Sequence, residues 1–316
     1  MKKLFFTLAL IALLFNHLAA QNDGTAGTYT RLGFGARGLG MGNALTAVTD
    51  GAVQTYYNPA LAAFSENRTA SISSSFLSFD RSLNFLSYTQ SVKPTGGISI
   101  GLINSGVKNI DGRDGDGFQT GMLSTAEDEF YLSFANRMTE DFALGVTVKL
   151  YYGKLYDQIT SSTVGFDIGA LYRLTPELRI GATIQDVSSK YTWDSKAIYN
   201  ENGKTTVDKF PQLRRIGISY APDLKYGLVS VDFENSSEGT NIVRAGVEYY
   251  IMPNVFTLRS GIDRMVFGDD ATGVKPTFGF TINNAFANWT PSLTYAYVIE
   301  PFSPQGMHIV TLSAIF

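Results

Sequence analysis

A two-residue alternation, apolar then small or polar, recurs along this chain in stretches of 7 to 11 residues that end at Gly, Pro, Asn or Asp, and it restricts the fold more than any other feature. Its clearest instances are Phe142 to Tyr152, Leu178 to Val187 and Leu293 to Ile299. In the first, Phe142, Leu144, Val146 and Val148 share one face while Ala143, Gly145, Thr147 and Lys149 share the other, which is the period of a strand with one apolar side. After residue 20 no window holds the roughly 18 nearly continuous apolar residues that a membrane helix needs. Strands, not helices, are what this chain offers a bilayer.

The pattern predicts strands over 69–80, 83–94, 96–107, 127–139, 142–158, 162–175, 178–187, 211–221, 225–235, 241–251, 255–267, 276–284, 291–300 and 306–316. That even number lets an antiparallel single-chain barrel return both termini to one side. Glycines inside the segments, among them Gly97, Gly145, Gly169, Gly181, Gly246 and Gly261, relieve crowding at bends or beneath a plug. Tyrosines at or near segment ends, including Tyr151, Tyr152, Tyr172, Tyr220, Tyr249 and Tyr250, suit a water–lipid boundary. The last segment alternates from Gly306 to Phe316 and resembles the C-terminal insertion signal of bacterial outer-membrane barrels, with Phe316 last.

Ahead of the alternating region, Met1-Lys2-Lys3, an apolar run from Leu4 to Phe15 and small residues at Ala19-Ala20 read as an export signal over 1–20. Cleavage after Ala20 leaves 296 residues and moves the formal charge from -3 to -5. The chain has no cysteine, which excludes disulfides, thiol nucleophiles, cysteine–zinc sites and a lipidated mature N-terminus. Its two histidines, His17 in the leader and His308, supply little for metal chemistry. No cofactor is expected. Near-balanced charge argues against a nucleic-acid partner.

Residues 21–66 do not alternate. They contain Gly33-Phe34-Gly35-Ala36-Arg37-Gly38-Leu39-Gly40-Met41-Gly42-Asn43-Ala44, then Asp50, then Asn58-Pro59-Ala60-Leu61. The glycines do not make a dinucleotide site, because neither the preceding strand nor the following βαβ unit is evident. The succession from Gly35 to Ala44, with Asp50 and Asn58-Pro59, resembles the N-terminal signature of the PorV/PorQ family within the FadL-like outer-membrane barrels. That resemblance implies an all-β fold, a 14-stranded antiparallel transmembrane β-barrel in the bacterial outer membrane with an N-terminal hatch inside it. The expected organisation is a signal peptide over 1–20, a hatch over 21–66 and a barrel over 67–316. Hatch residues singled out are Arg31, Gly35, Arg37, Gly40, Gly42, Asn43, Asp50, Asn58 and Pro59. Arg31, Arg37 and Asp50 are candidates for polar contacts to the lumen wall, whereas Asn58-Pro59 reads as a local cap and turn.

The intervals 108–126 and 188–210 are expected to be outer loops. Asp111, Asp114 and Asp116 in the first superficially suggest calcium, but their spacing does not reproduce an EF-hand and a solvated loop fits better. Tyr191 and Trp193 in the second mix with charged neighbours and are candidate contacts for cargo, lipid headgroups or protein. Catalysis is not expected: Ser73-Ser74-Ser75 and Ser161-Ser162 provide hydroxyls, but a triad would rest wholly on His308. Three roles remain open. One is transport of hydrophobic solutes or fatty acids; another is a type IX secretion-associated barrel that holds or shuttles exported protein cargo. The third is an exported soluble all-β binding protein. The partners implied are outer-membrane lipid, the barrel-assembly machinery, a hydrophobic solute or secreted cargo, and subunits of a secretion complex.

Overall fold

The computed structural model describes residues 25–52, 54–223, 226–266, 274–286, 288–301 and 303–316. The leader expected over 1–20 and the first hatch residues, 21–24, lie outside the described residues. Sixteen strands follow one another: β1 (Thr69–Phe76), β2 (Arg81–Val92), β3 (Gly96–Arg113), β4 (Gln119–Arg137), β5 (Phe142–Tyr156), β6 (Ile159–Arg173), β7 (Leu178–Val187), β8 (Lys190–Asp194), β9 (Thr205–Lys209), β10 (Leu213–Asp223), β11 (Gly227–Ser236), β12 (Asn241–Met252), β13 (Phe256–Val266), β14 (Pro276–Asn283), β15 (Thr290–Val298) and β16 (Met307–Ile315). Fourteen of them close an antiparallel barrel; β8 and β9 pair only with each other, and β7 continues directly to β10. Closure is made by β1 against β16, in register from Thr69 opposite Ile315 to Phe76 opposite His308.

The alternation places apolar residues outside. On β5, Leu144, Val146, Val148 and Leu150 are each 40 to 50% exposed, while Ala143, Thr147 and Lys149 are buried in the lumen. Such an apolar outer face is suited to hydrocarbon and unsuited to water. From Phe142 to Tyr152 the strand advances ten residues, about 34 Å, which at a tilt of about 40° rises about 26 Å, matching an apolar band of about 25 Å. Polar side chains mark one edge of the band. Ser74, Asn84, Asn104 and Asp128 lie side by side across β1 to β4 and are linked by hydrogen bonds of 2.9, 3.4 and 2.6 Å.

Both expected loops carry strand. Residues 108–126 are mostly the ends of β3 and β4, which run on to Arg113 and from Gln119. Alternation fades there because both faces of the extension meet water, and a register shift between Val107 and Ile110 moves the pattern out of phase. Asp111 pairs with Arg113 at 2.6 Å, and Asp114 Oδ1 accepts from the backbone of Asp116 and Phe118, which closes the tip. The interval 188–210 contains the β8–β9 hairpin, which turns its aromatic face inward.

Residues 25–52 and 54–66 lie inside the barrel, with a 3₁₀ turn at Thr28–Arg31, a short helix α1 (Ala36–Gly40) and a second 3₁₀ turn at Pro59–Phe64. Asn58 caps that turn by accepting from Ala60 N at 3.0 Å, with Pro59 at its first position. The segment's backbone rests on strand glycines. A Cβ at Gly97 would meet the Ala62 carbonyl, one at Gly145 the Ala60 nitrogen, one at Gly181 the Thr46 carbonyl and one at Gly246 the Met41 carbonyl at 2.3 Å. The substitution Gly246→Val is therefore expected to unseat the segment while the barrel survives. Limited proteolysis should cut within 25–66 in the variant and not in the parent, with heat-dependent gel mobility of the barrel retained in both.

The plugged lumen as candidate functional site

Charged side chains at inward-facing strand positions grip the inner segment at three places. Arg37 forms a two-pronged pair with Glu248, at 3.0 and 3.2 Å, and donates to the carbonyls of Asp50 and Ala52 at 2.6 and 2.8 Å. Glu248 on β12 also receives Arg259 of β13 at 2.6 Å and the Tyr250 hydroxyl at 2.8 Å. Asp50 is held by both ends of Arg179 on β7, at 2.8 and 3.1 Å. Burial still pushes the Asp50 carboxyl above its ordinary range against the pull of Arg179 and Arg37, so it takes up a proton at a higher pH than an exposed aspartate.

The second grip is at Asn43, whose amide donates to Asp263 of β13 at 2.9 Å and to the Leu32 carbonyl at 3.2 Å. Tyr57 donates to Asn43 Oδ1 at 2.5 Å, and burial pushes its phenol far up, which keeps it a donor. Behind Asn43 a row of charges runs along the wall: Asp263 to Arg244 at 3.0 Å, Arg244 to Glu234 at 3.0 Å, and Glu234 to Arg215. Thr46 adds its backbone nitrogen and hydroxyl to Asp232 at 3.0 and 2.7 Å. Asn58 donates to Thr46 O and to Ala170 O of β6 at 2.9 and 3.0 Å.

The third grip surrounds Lys149. Its ammonium meets Asp167 at 2.9 Å, Asp186 at 3.0 Å and, more loosely, Glu129 at 3.8 Å, and lies 5.3 Å from the centre of the Tyr56 ring. Tyr151 also donates to Asp186, at 2.6 Å. Among the described residues no group of three or more His, Cys, Asp or Glu side chains is arranged to hold a metal ion.

The structure thus sorts the residues singled out from sequence. Arg37, Asn43, Asp50 and Asn58 all bond to the wall or to the groups that do, whereas Arg31 folds back on Ala26, Gly27 and Thr25 and closes its own turn. Gly35 precedes α1 with φ 75°, Gly40 ends it, and Gly42, with φ 59°, lies directly on the Ile262 backbone. Pro59 packs against Gly169. Asp111, Asp114 and Asp116 are exposed at the far hairpin. Tyr191 and Trp193 are not outer contacts by position: they are buried, because Trp193 packs over Gly153 and Tyr191 lies 4.9 Å from the Phe210 ring, which covers Gly27. Phe316 faces outward, 6.4 Å from the Tyr88 ring. His308 is exposed and bonds Tyr295 at 2.7 Å. Lys149, Arg179, Glu248 and Arg259 were missed, although each breaks a polar row of small residues with a charge.

No protein-family model and no curated protein sequence matches the chain. Solved structures do. The toluene transporter TbuX of Ralstonia pickettii is 15% identical, with 92% of this chain and 100% of that one covered at a TM-score of 0.64. The CymD monoaromatic hydrocarbon channel is 14% identical, with coverage of 90% and 97% and a TM-score of 0.65. A FadL homologue of Pseudomonas aeruginosa is 10% identical, with coverage of 88% and 97% and a TM-score of 0.59. The chain has the FadL-like barrel fold.

Within this barrel, Glu248 is the joint on which two arginines from different elements converge. Removing one member of a buried pair costs about 3–5 kcal/mol because the partner charge is left stranded. Glu248→Ala is therefore expected to loosen the inner segment, seen as faster amide exchange of residues 36–52 with the exchange of the barrel strands unchanged.

Proposed function

We propose that the chain is a non-catalytic outer-membrane barrel that passes a hydrophobic solute inward by rearrangement of the segment inside it. The observation that carries this reading is a continuous apolar cluster running from the β8–β9 hairpin to the inner segment. It starts at Trp193, Tyr191 and Phe210, continues through Tyr151 and Tyr29, and reaches Tyr56, Phe34, Phe85 and Tyr131. Ring centres lie 4.8 to 4.9 Å apart in its outer part, as from Tyr151 to Phe210, and 4.4 to 6.4 Å apart in its inner part, as from Phe34 to Tyr56 and from Phe85 to Tyr131. Phe34, Phe85 and Phe210 carry no polar group, so one of these rings that parts from the cluster leaves a site into which an aromatic or aliphatic solute fits without stranding a polar group.

The relatives named above as toluene and monoaromatic hydrocarbon transporters support the same solute class, with fatty acids the alternative apolar cargo. The Arg37, Asp50 and Asn43 contacts support a hatch role for the inner segment, and the inward-turned hairpin supports Tyr191 and Trp193 as its outer cover. In a membrane the barrel contacts lipid over its apolar band, and its insertion calls on barrel-assembly machinery.

The reading is tested by uptake of labelled toluene and labelled oleate into cells with and without the chain. Uptake should fall on deletion, and Phe85→Asn, which puts an amide into the apolar route, should lower it by roughly tenfold, the equivalent of ~1.4 kcal/mol. Unchanged uptake after deletion, with surface-protein secretion impaired, would sink it.

That second outcome belongs to the PorV/PorQ reading, in which the barrel holds exported cargo alongside a secretion complex. One observation favours it: the β3–β4 extension beyond the apolar band exposes Phe118 at 72% and Met122 at 65%, beside Asp111, Asp114 and Asp116.

A further inference from the structure

Below the hatch, at the end of the barrel that holds the start of β1 and the end of β16, a cavity of about 1170 Å³ opens beneath Phe64. The whole chain is acidic, with a formal charge of -3, yet the cavity is lined by six basic side chains against three acidic ones. Arg37, Arg179 and Arg259 are matched to Glu248 and Asp50 by the pairs already described. Lys93, Arg137 and Arg173 remain, and the third acid, Glu66, is exposed.

Arg137, at the end of β4, makes no side-chain hydrogen bond or ion pair among the described residues, and its Nε is shielded from solvent without a partner. Its guanidinium carbon lies 6.0 Å from the centre of the Phe64 ring. Arg173, at the end of β6, places its own guanidinium 4.8 Å from the same ring. Arg173 is only loosely engaged: its Nε is 3.5 Å from Asp141, itself more than half exposed, and one terminal nitrogen donates to the Glu140 carbonyl. Two guanidinium groups therefore converge on one aromatic ring at the wall of an open cavity, with hydrogen-bonding capacity left over.

We propose that this cavity is an oxyanion site, in which Arg137 and Arg173 hold a carboxylate or phosphate group and Phe64 receives whatever apolar part is attached to it. A planar guanidinium presents paired N–H donors that match two oxygens of such a group, and a ring face steadies the cation from behind. Phe64 ends the last 3₁₀ turn of the inner segment, so the bound anion would touch the segment and the wall together. The site does not depend on the transport reading, since binding is a property of the purified barrel.

Two probes separate the sources of the oxyanion: inorganic phosphate, which has no apolar part, and benzoate, which does. Equilibrium dialysis of the full chain in detergent should find saturable binding of at least one. Arg137→Gln with Arg173→Gln should weaken it by roughly tenfold or more, as the loss of two charge-assisted contacts requires. Benzoate bound more tightly than phosphate, with the preference lost in Phe64→Ala, assigns the site to an apolar carboxylate; equal binding unaffected by Phe64→Ala assigns it to a free anion. Arg113→Gln, at the opposite hairpin, should change nothing. Heat-dependent gel mobility establishes that each variant is a closed barrel. No saturable binding of either probe, or equal binding in the folded double variant, overturns the proposal.

Discussion

Within hydrocarbon no water is present to satisfy a free N–H or C=O, so a sheet that crosses a bilayer can have no open edge. The pairing of β1 with β16 meets that requirement, and much else follows from it. Fourteen strands enclose a space too wide for wall side chains alone to fill. The inner segment fills it, and its helix α1 is tied to the closing strand itself, through the Ala36 nitrogen and the Thr311 hydroxyl at 2.8 Å. Thr311 in turn shares a hydrogen bond with Ser73 across the seam. The joint that closes the wall is thus also one of the joints that hold the filling.

The ion pairs inside the barrel are not a simple addition to stability. Taking charges out of water is costly, and a well-packed apolar replacement often does as well. Their arrangement is more informative than their number. Arg37 to Glu248, Asn43 to Asp263 and Asp50 to Arg179 each join the inner segment to a different part of the wall, so they fix where the segment sits, not merely that it is inside. Apolar contacts alone would leave its rotation about the barrel axis weakly defined.

The fold was readable from sequence because a period of two with one apolar face is a local property, written afresh in each strand. The number of barrel strands and most of their bounds follow from it. It fails where its physical cause ends: beyond the apolar band both faces of β3 and β4 are wetted, so Asp111, Gly112 and Arg113 look like loop while remaining paired. The burial of Tyr191 and Trp193 was equally hidden, since nothing local says which way a hairpin leans. The hatch signature marked Arg37, Asn43, Asp50 and Asn58, but not their partners. Asn43 and Asp263 are 220 residues apart, and such a pairing depends on the register of strands that sequence spacing does not set.

The glycines under the inner segment have a mechanical consequence. Where Gly97, Gly145, Gly181 and Gly246 meet it, backbone faces backbone and no side chain interlocks with another. Displacement across such a surface needs no neighbouring rotamers to change first, so the resistance to sliding is concentrated in a few polar contacts and in the aromatic contacts of Phe34 and Tyr56 with Phe85 and Tyr131. Along these glycines the wall acts as a smooth bearing with discrete catches, and the force needed to shift its contents is set by how many catches are released at once.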